Sequence, residues 1–429
     1  MPHFGIICPP IPGHVNPLAA VGRALIRKGH QVTFIHVPDM AAKAAAEGLA
    51  FTAIGAAEFP PGTLSESVST LAALSGIKAL RYSVHTACRI ARSILQDAPA
   101  AVQTCKIDAL LVDQNEPAGA TVAEHLGIPF LSVCTSLPLN REPGIPPPFV
   151  GWPFNGSLFG RIRNTLGLFA ADRLIAPIQT VLNEYRQRWN LPLVHQPDDT
   201  FSRRGTIAQM PRELDFPRRS LQPEFHYLGP WFDDQSSSRV PFPFHRLDGR
   251  PLVYGSLGTL QSRDSHYFRT MAQACSDREV QLVLSLGSAS QMQASLPDLP
   301  GDPIVVNFAP QLELLPRASV TITHAGMNTT VQSLYFGVPL VAIPLAHDQP
   351  AIAARVAAAG VGITIPPAQL SVIRLKAAID SLLASGNPWR ESAARMRIAI
   401  ADAGGALRAV ELAEQLVKGN YLTKKSGAS

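Results

Sequence analysis

Short apolar runs alternate with stretches of helical periodicity from the first residues of the chain. His3–Pro9 is an apolar run that ends in prolines, Leu18–Lys28 has apolar residues at helical spacing, and Gln31–His36 is a second apolar run. Apolar runs of this length are typical of parallel strands that are covered on both faces. The pattern predicts strand, loop, helix and strand, the opening of a doubly wound α/β fold.

The same alternation continues through the first half of the chain. Ala109–Asp113 predicts a strand, Pro117–Leu126 a helix and Pro129–Cys134 another strand. The segment from Leu137 to Pro153 is rich in proline, which cannot occupy a helix interior or a central strand. We therefore expect a long loop there, over the edge of the sheet where ligands bind in such folds.

A second break separates two halves. Residues 229–250 contain three consecutive serines and several prolines, which is typical of a linker. We predict an α/β protein of two facing Rossmann-like domains with a cleft between them: residues 1–230, a linker at 231–250, residues 251–415 and a tail at 416–429. Five apolar runs predict the strands of the second domain: Leu252–Gly255, Gln281–Leu286, Ile304–Phe308, Val320–Thr323 and Leu340–Ile343.

Composition and charge narrow the possible functions. Hydrophobic residues make up 46% of the 429 residues and charged residues 16%, which excludes a disordered chain. The net charge is +5, and the basic residues are scattered without interleaved aromatic residues. A small ligand that carries phosphate, or an anionic surface, fits this charge better than nucleic acid does.

Cysteine usage and the absence of targeting signals favour the cytoplasm. The five cysteines are odd in number and widely spaced, which favours reduced thiols over a disulfide framework. The N-terminal sequence MPHFGIICPP does not resemble a signal peptide. No apolar run reaches about 18 residues, so no membrane-spanning helix is expected. We expect a cytoplasmic protein, with at most peripheral contact with the inner membrane face.

The motif Gly13-His14-Val15-Asn16-Pro17 directly follows the first predicted strand. We expect a loop that opens into a helix and places His14 at the carboxyl end of a parallel strand. A neutral imidazole there can accept a proton from a hydroxyl group. Taken alone, the motif fits a histidine that caps the helix or faces water better than a catalytic one. The motif is not a GxGxxG dinucleotide fingerprint.

Asp113 ends a predicted strand and is a candidate partner for a catalytic histidine. A hydrogen bond from the imidazole to this carboxylate would fix the tautomer and stabilise the imidazolium as it forms. An N-cap role for the following helix is an equally good interpretation from sequence alone, and Glu116 is a nearby competitor.

The most specific pattern lies in the second half, where three motifs suit a nucleotide sugar. HAGMNTT follows a strand and opens a helix whose positive end suits a diphosphate, and FAPQ offers an aromatic face for a base. HDQP offers acceptors and donors for sugar hydroxyls, and SLGT, after the first strand of this half, is a weaker candidate. The predicted donor-site residues in these motifs are Ser256, Gly258, Thr259, Phe308, Ala309, Gln311, His324, Gly326, Asn328, Thr329, Asp348 and Gln349.

These motifs resemble those of the family 1 nucleotide-sugar glycosyltransferases over nearly the whole chain. The family's donor signature is similar to FAPQ, HAGMNTT and DQ, its catalytic histidine matches His14, and its histidine-orienting aspartate matches Asp113. Within the family, the chain is most similar to the bacterial zeaxanthin (carotenoid) glucosyltransferases, on the segments VDQNEPAGA, LPLNREP, ELDFPRRSL, GSLGTLQ, ITHAGMNT and PLAHDQP.

The resemblance implies a GT-B fold and an inverting transfer of glucose from UDP-glucose to a hydroxyl group of a lipophilic acceptor. It places the acceptor mainly on the first half and the UDP-sugar mainly on the second, and it implies neither a metal nor another cofactor. A hydroxylated carotenoid such as zeaxanthin is the expected acceptor, and Asn16, Pro138 and Asn140 are expected to contact it.

Two residues depart from the family pattern. Phe308 stands where a tryptophan often stacks on uracil, and Gln332 stands where a glutamate binds the ribose in plant members. Both leave the choice between UDP and dTDP open. Gln349 resembles the form that prefers glucose.

Three other functions compete with this interpretation. Another lipophilic aglycone, such as a polyketide, sterol or flavonoid, would fit the same motifs. An inactive nucleotide-sugar-binding protein would not need both His14 and Asp113. A nicotinamide oxidoreductase would need a glycine fingerprint, which is missing.

The predicted helix Leu158–Trp189 raises the possibility of a membrane contact. It mixes leucine and phenylalanine with Arg161, Arg163 and Arg173, which suits a helix at an anionic interface. An ordinary amphipathic helix packed on its own domain has the same composition.

Overall fold

The computed structural model describes residues 1–74, 76–233, 240–258, 264–287 and 299–419. Within these ranges the first half forms a seven-stranded parallel sheet in the order β3-β2-β1-β4-β5-β6-β7. Its central strands are apolar and buried on both faces, as the sequence predicts. The strands are β1 (His3–Ile7), β2 (Gln31–His36), β3 (Ala50–Ala53), β4 (Ala109–Asp113), β5 (Phe130–Cys134), β6 (Thr206–Ala208) and β7 (Phe225–Tyr227).

Helices connect these strands and cover the sheet. Gly119 lets one of them approach closely, because a Cβ at this position would lie 2.9 Å from a side-chain atom of Val112 on β4. The helices of this half are α1 (Pro12–Arg27), α2 (Ala41–Ala46), α3 (Thr63–Ala73), α4 (Gly76–Thr104), α5 (Pro117–Leu126) and α6 (Leu158–Arg188).

In its described part, the second half repeats the arrangement with a six-stranded parallel sheet in the order β10-β9-β8-β11-β12-β13. These strands are β8 (Leu252–Ser256), β9 (Gln281–Ser285), β10 (Ile304–Val306), β11 (Ala318–Thr323), β12 (Leu340–Ala342) and β13 (Gly362–Thr364). The helices are α7 (Ser265–Cys275), α8 (Gln311–Leu314), α9 (Met327–Tyr335), α10 (Gln349–Ala358), α11 (Val372–Leu383), α12 (Pro388–Asp402) and α13 (Gly405–Val417). The predicted α/β class with two Rossmann-like halves is confirmed.

Both sheets reverse their strand order at one point. In the first sheet the reversal lies between β1 and β4, and in the second it lies between β8 and β11. In open α/β sheets, ligands bind in the crevice at the carboxyl ends of the strands at such a point. Asp113 is the last residue of β4, and the segments that follow the other three strands contain His14, Gly258 and His324. The fold therefore brings these four residues to the two crevices at the strand-order reversals.

The two halves share a buried contact that includes an ion pair. Arg355 of α10 donates to the Asp215 carboxylate at 2.8 Å, and both side chains are 1% exposed. The Arg355 guanidinium also lies 4.3 Å from the centre of the Phe216 ring. Burial alone would raise the pKa of Asp215, but Arg218 and Arg355 lower it to about 2. The segment ELDFPRR thus binds the first half to the second.

The last helix, α13, returns to the first half. It packs along α1, and its Val410 and Ala413 belong to the hydrophobic core around β1. The Gly405 amide donates to the carbonyl of Leu228 at 2.8 Å where the chain crosses over. The predicted limit at residue 415 falls inside this helix. The domain limits stay a prediction, since the linker is only partly described.

The sequence predicts no membrane-spanning helix, and α6 is the one helix of the described residues that meets the length and composition of a span. Its mean hydropathy is 1.2 over an 18-residue window of which 17% is buried. Its C-terminal part packs on α4 and α5, with Val181 and Leu182 in the core and Arg186 donating to Glu124 at 2.6 Å. That part of the helix therefore lies on the protein.

Candidate active site

His14 lies in the first turn of α1 and not in the loop that the sequence predicts. The helix begins at Pro12, since proline is tolerated in a first turn, where its missing N–H has no helical partner. Pro17, inside the helix, likewise lacks an N–H, so the Gly13 carbonyl receives no helical bond from it. The Asn328 amide of the second half donates to this carbonyl at 3.3 Å. The motif GHVNP thus forms part of the contact between the halves.

His14, Asp113 and Thr135 form a compact hydrogen-bonded group. His14 Nδ1 lies 2.8 Å from Asp113 Oδ2 and 2.7 Å from Thr135 Oγ1. The Thr135 hydroxyl donates to the same carboxylate oxygen at 2.6 Å. Because Nδ1 faces the carboxylate, the proton of neutral His14 resides there and Nε2 keeps its lone pair. This is the tautomer that a general base requires.

The electrostatics of this group agree with that role. Burial lowers the pKa of His14, but the charge of Asp113 and the hydrogen bond to it outweigh burial and raise the pKa above 6.5. Burial raises the pKa of Asp113, yet His14 and Thr135 lower it below its ordinary value. Asp113 is fully buried and His14 is 18% exposed on its side chain. The pair therefore holds an ionised carboxylate behind an imidazole that is partly open to solvent.

Glu116, the alternative partner for His14, has a different environment. It is the N-cap residue of α5, without a side-chain cap hydrogen bond. Burial, followed by repulsion from Asp113, raises the pKa of Glu116 to about 8, so it is mostly protonated near neutral pH. Asp113 instead accepts from the Asn115 amide at 2.9 Å, which fixes its carboxylate at the end of β4.

His324, at the end of β11, faces two glycines and the end of β8. A Cβ at Gly258 would lie 2.7 Å from His324 Cε1, and one at Gly326 would also meet the ring. Burial lowers the pKa of His324 to about 4, against a smaller opposing effect of Asp348 and a hydrogen bond with the Ser256 backbone. In the free protein His324 is therefore a neutral hydrogen-bond donor and not a cation.

The residues predicted to bind the nucleoside lie just before α8, at its first residue and on α9. Phe308 is 47% exposed, so its ring is open to a planar ligand. Gln311 donates to Gln332 Oε1 at 2.5 Å, and Thr329 donates to Gln311 at 3.4 Å. Ala309 is partly buried and packs against the hydrophobic cluster that includes Tyr254 and Leu314. Gln332 can still bind ribose hydroxyls through its amide, without a charge.

Asn328, Asp348 and Gln349 already have protein partners. Asn328 Oδ1 accepts from Gln209 at 2.9 Å, and Asp348 accepts from Ser136, so both contact the first half. Gln349 is buried, and its Oε1 accepts from the amides of Leu345 and Ala346 at 2.8 Å. This oxygen holds the preceding loop, which leaves only the amide nitrogen for a sugar.

The predicted acceptor residues occupy different environments. Asn16 is exposed in the second turn of α1, whereas Pro138 is buried. Asn140 is partly exposed, and its buried Oδ1 has no hydrogen-bond partner in the described residues. Arg218 donates to the carbonyls of Pro138 and Asn140 at 3.0 and 2.8 Å and so holds the proline-rich loop. Thr259 lies outside the described residues.

Sequence reasoning missed Thr135, Ser136, Gln209 and Arg218. Each is a common residue type without a motif around it, and each becomes relevant only through a partner far away in the chain. A signal existed for Arg218, because its segment and LPLNREP both carry the resemblance, and the structure shows that they touch.

Comparison with known proteins identifies the family. The model for UDP-glucoronosyl and UDP-glucosyl transferase matches residues 18–398. The zeaxanthin glucosyltransferase of Pantoea ananas is 33% identical over 97% of this chain and 96% of its own length. That of Pseudescherichia vulneris is 31% identical over 98% and 99%.

Solved structures show the same fold. The glycotransferase of kitacinnamycin covers 97% of this chain and 100% of its own, with a TM-score of 0.73 at 24% identity. A glycosyltransferase in complex with dTDP, VinC, covers 98% and 100%, with a TM-score of 0.70 at 20% identity. The predicted GT-B fold is thereby confirmed, as is the predicted resemblance. The chain belongs to the UDP-glucoronosyl and UDP-glucosyl transferase family and is a glycosyltransferase.

Proposed function

We propose that this glycosyltransferase moves glucose from UDP-glucose to a hydroxyl group of a hydroxylated carotenoid such as zeaxanthin, with inversion at the anomeric carbon. The observation that carries the catalytic part is the hydrogen bond of 2.8 Å between His14 and buried Asp113 at the strand-order reversal of the first sheet. The acceptor class is supported by the two relatives named zeaxanthin glucosyltransferase, which match nearly the whole chain.

The proposed reaction is a single displacement. His14 Nε2 takes the proton of the acceptor hydroxyl as its oxygen bonds to the anomeric carbon of glucose. The bond from that carbon to the diphosphate oxygen breaks, and UDP leaves with the electron pair. Asp113 stabilises the imidazolium, while His324 and the N-terminus of α9 stabilise the departing charge. Attack opposite to the leaving group converts an α-linked donor into a β-linked product.

The proposal assigns no metal or other cofactor to this reaction. We assign the N-terminus of α9 and His324 to the diphosphate as hydrogen-bond donors, which can stabilise its charge without a cation. Phe308 and the Gln311–Gln332 pair are assigned to the nucleoside.

The experiment that tests the function is product analysis with a panel of acceptors. Purified protein is incubated with UDP-glucose or dTDP-glucose, with and without EDTA, and with solubilised zeaxanthin or compact phenols. We expect a glucoside of zeaxanthin from UDP-glucose, unaffected by EDTA and β-linked by NMR. Much faster transfer to phenols would overturn the carotenoid assignment and leave the glycosyltransferase intact. Loss of transfer activity in the presence of EDTA would overturn the mechanism without a metal.

Replacing His324 with alanine is expected to weaken UDP binding by about 10- to 100-fold, because a hydrogen bond to a charged group contributes about 1.5–3 kcal/mol. Calorimetry with UDP measures this. The Gln349→Ala variant is the comparison: we expect it to change the ratio of UDP-glucose to UDP-galactose use more than UDP affinity. Unchanged UDP affinity in His324→Ala would contradict the placement of the diphosphate.

A further inference from the structure

The N-terminal half of α6 has a stripe of large apolar side chains that face solvent. They are 52–74% exposed, far more than core residues of the same type. At 100° per residue they fall on about a third of the helix circumference. The members of this stripe, named the α6 stripe below, are Leu158, Phe159, Ile162, Leu166 and Phe169.

The opposite side of the helix explains why this stripe faces outward. Gly167 packs on the proline-rich loop, where a Cβ would lie 2.9 Å from side-chain atoms of both Pro147 and Trp152. The buried Asn164 donates to the Pro143 carbonyl at 3.2 Å on the same side. The helix thus already uses its inner side against the loop, and the α6 stripe is left without a partner among the described residues.

Positive charge surrounds the α6 stripe. Arg161 projects to one side of the stripe by helical position, and the Arg173 guanidinium lies 4.8 Å from the centre of the Phe169 ring. On the other side, the Arg163 guanidinium packs over the Trp152 ring at 4.8 Å and donates to the Pro153 carbonyl at 3.0 Å. From Pro143 to Ala171 the sequence has no acidic residue. An apolar face flanked by arginines is the pattern of a helix that lies in the interface of an anionic membrane.

We propose that the α6 stripe docks on an anionic phospholipid surface and brings the proline-rich loop, Leu137–Pro153, next to that surface. The positive charge favours a lipid surface over a second copy of the chain as the partner. A symmetric contact between two copies through this stripe would bring like-charged arginines together. The loop below the stripe follows β5 and Thr135, the next residue, and it touches the second half where Gly151 meets Pro350. Delivery of a lipid-dissolved acceptor to that loop rests on the proposed function, whereas docking itself does not.

Vesicle co-sedimentation tests the docking. The full-length protein is mixed with phosphatidylcholine vesicles with and without phosphatidylglycerol, at low and high salt. We expect binding only to the anionic vesicles at low salt, and at least about tenfold weaker binding for Phe159→Gln/Leu166→Gln, which removes two large apolar side chains from the contact. Arg161→Gln should weaken binding and reduce its salt dependence. Ile373→Gln, 80% exposed on α11, is the matched control.

The outcomes separate docking from catalysis. Transfer to zeaxanthin embedded in anionic vesicles should fall in the double variant, while UDP affinity and transfer to detergent-solubilised zeaxanthin stay at the wild-type level. Equal vesicle binding by wild type and double variant would overturn the proposal. A wild-type dimer in analytical ultracentrifugation that is absent from the double variant would also overturn it. Wild-type docking with no transfer to any carotenoid would support docking and overturn the proposed function alone.

Discussion

Replacing His14 with alanine is expected to lower kcat by about 10²–10⁴-fold, the usual contribution of a general base. Without the imidazole, no group takes the acceptor proton as the new bond forms. UDP affinity should stay nearly unchanged, because the assigned donor residues belong to the second half. Single-turnover kinetics with saturating donor measure the chemical step, and calorimetry measures UDP binding.

The His195→Ala variant is the control for this experiment, since His195 is exposed and contributes only its backbone amide to a hydrogen bond with Asp199. It should behave as wild type in both measurements. A turnover number in His14→Ala equal to that of wild type would remove His14 from the mechanism.

Replacing Asp113 with asparagine is expected to lower kcat by about 10- to 100-fold, since a hydrogen bond to a charged group contributes about 1.5–3 kcal/mol. The pH dependence should change as well. The base form of His14 is neutral, and Asp113 raises the pKa of His14, so wild-type kcat/KM rises with pH through a midpoint above 6.5. Without the charge, this rise should shift to lower pH.

A pH profile of kcat/KM distinguishes this role from a structural one. The Thr135→Val variant keeps the shape of the site but removes the hydroxyl that donates to Asp113. It should shift the profile less than Asp113→Asn does. A lower plateau in Asp113→Asn with the midpoint unmoved would mean that Asp113 supports the fold and does not act on His14.

Much of this fold can be predicted because its central strands are continuous apolar runs. The strand Ala109–Asp113 and the helix Pro117–Leu126 have the predicted bounds, and Gly127, with φ of +66°, ends that helix as a C-cap. The start of α1 was harder to predict, because Gly13 and Pro17 in one turn are typical of a loop. A contact from Asn328, more than 300 positions away, supplies the missing partner for the Gly13 carbonyl.

The proximity of His14 and Asp113 could be predicted from the sequence. A histidine after β1 and an aspartate at the end of β4 can be paired in advance, since these strands are neighbours at a strand-order reversal. Their role in catalysis stays a prediction. Thr135 and Gln209 act through geometry alone, so no local pattern could single them out. Likewise, the loop-holding role of Gln349 depends on backbone amides that become available only in the folded chain.

The return of α13 to the first half determines how this enzyme can be recombined with its relatives. A chimera joined once, within 231–250, would combine α1 of one parent with α13 of the other. Val410 and Ala413 would then pack against core residues that come from the other parent. Since this helix begins at Gly405, directly after α12, a second crossover near Ala403 would keep α1 and α13 from the same parent. Exchange of donor preference between relatives therefore calls for an internal cassette with two junctions.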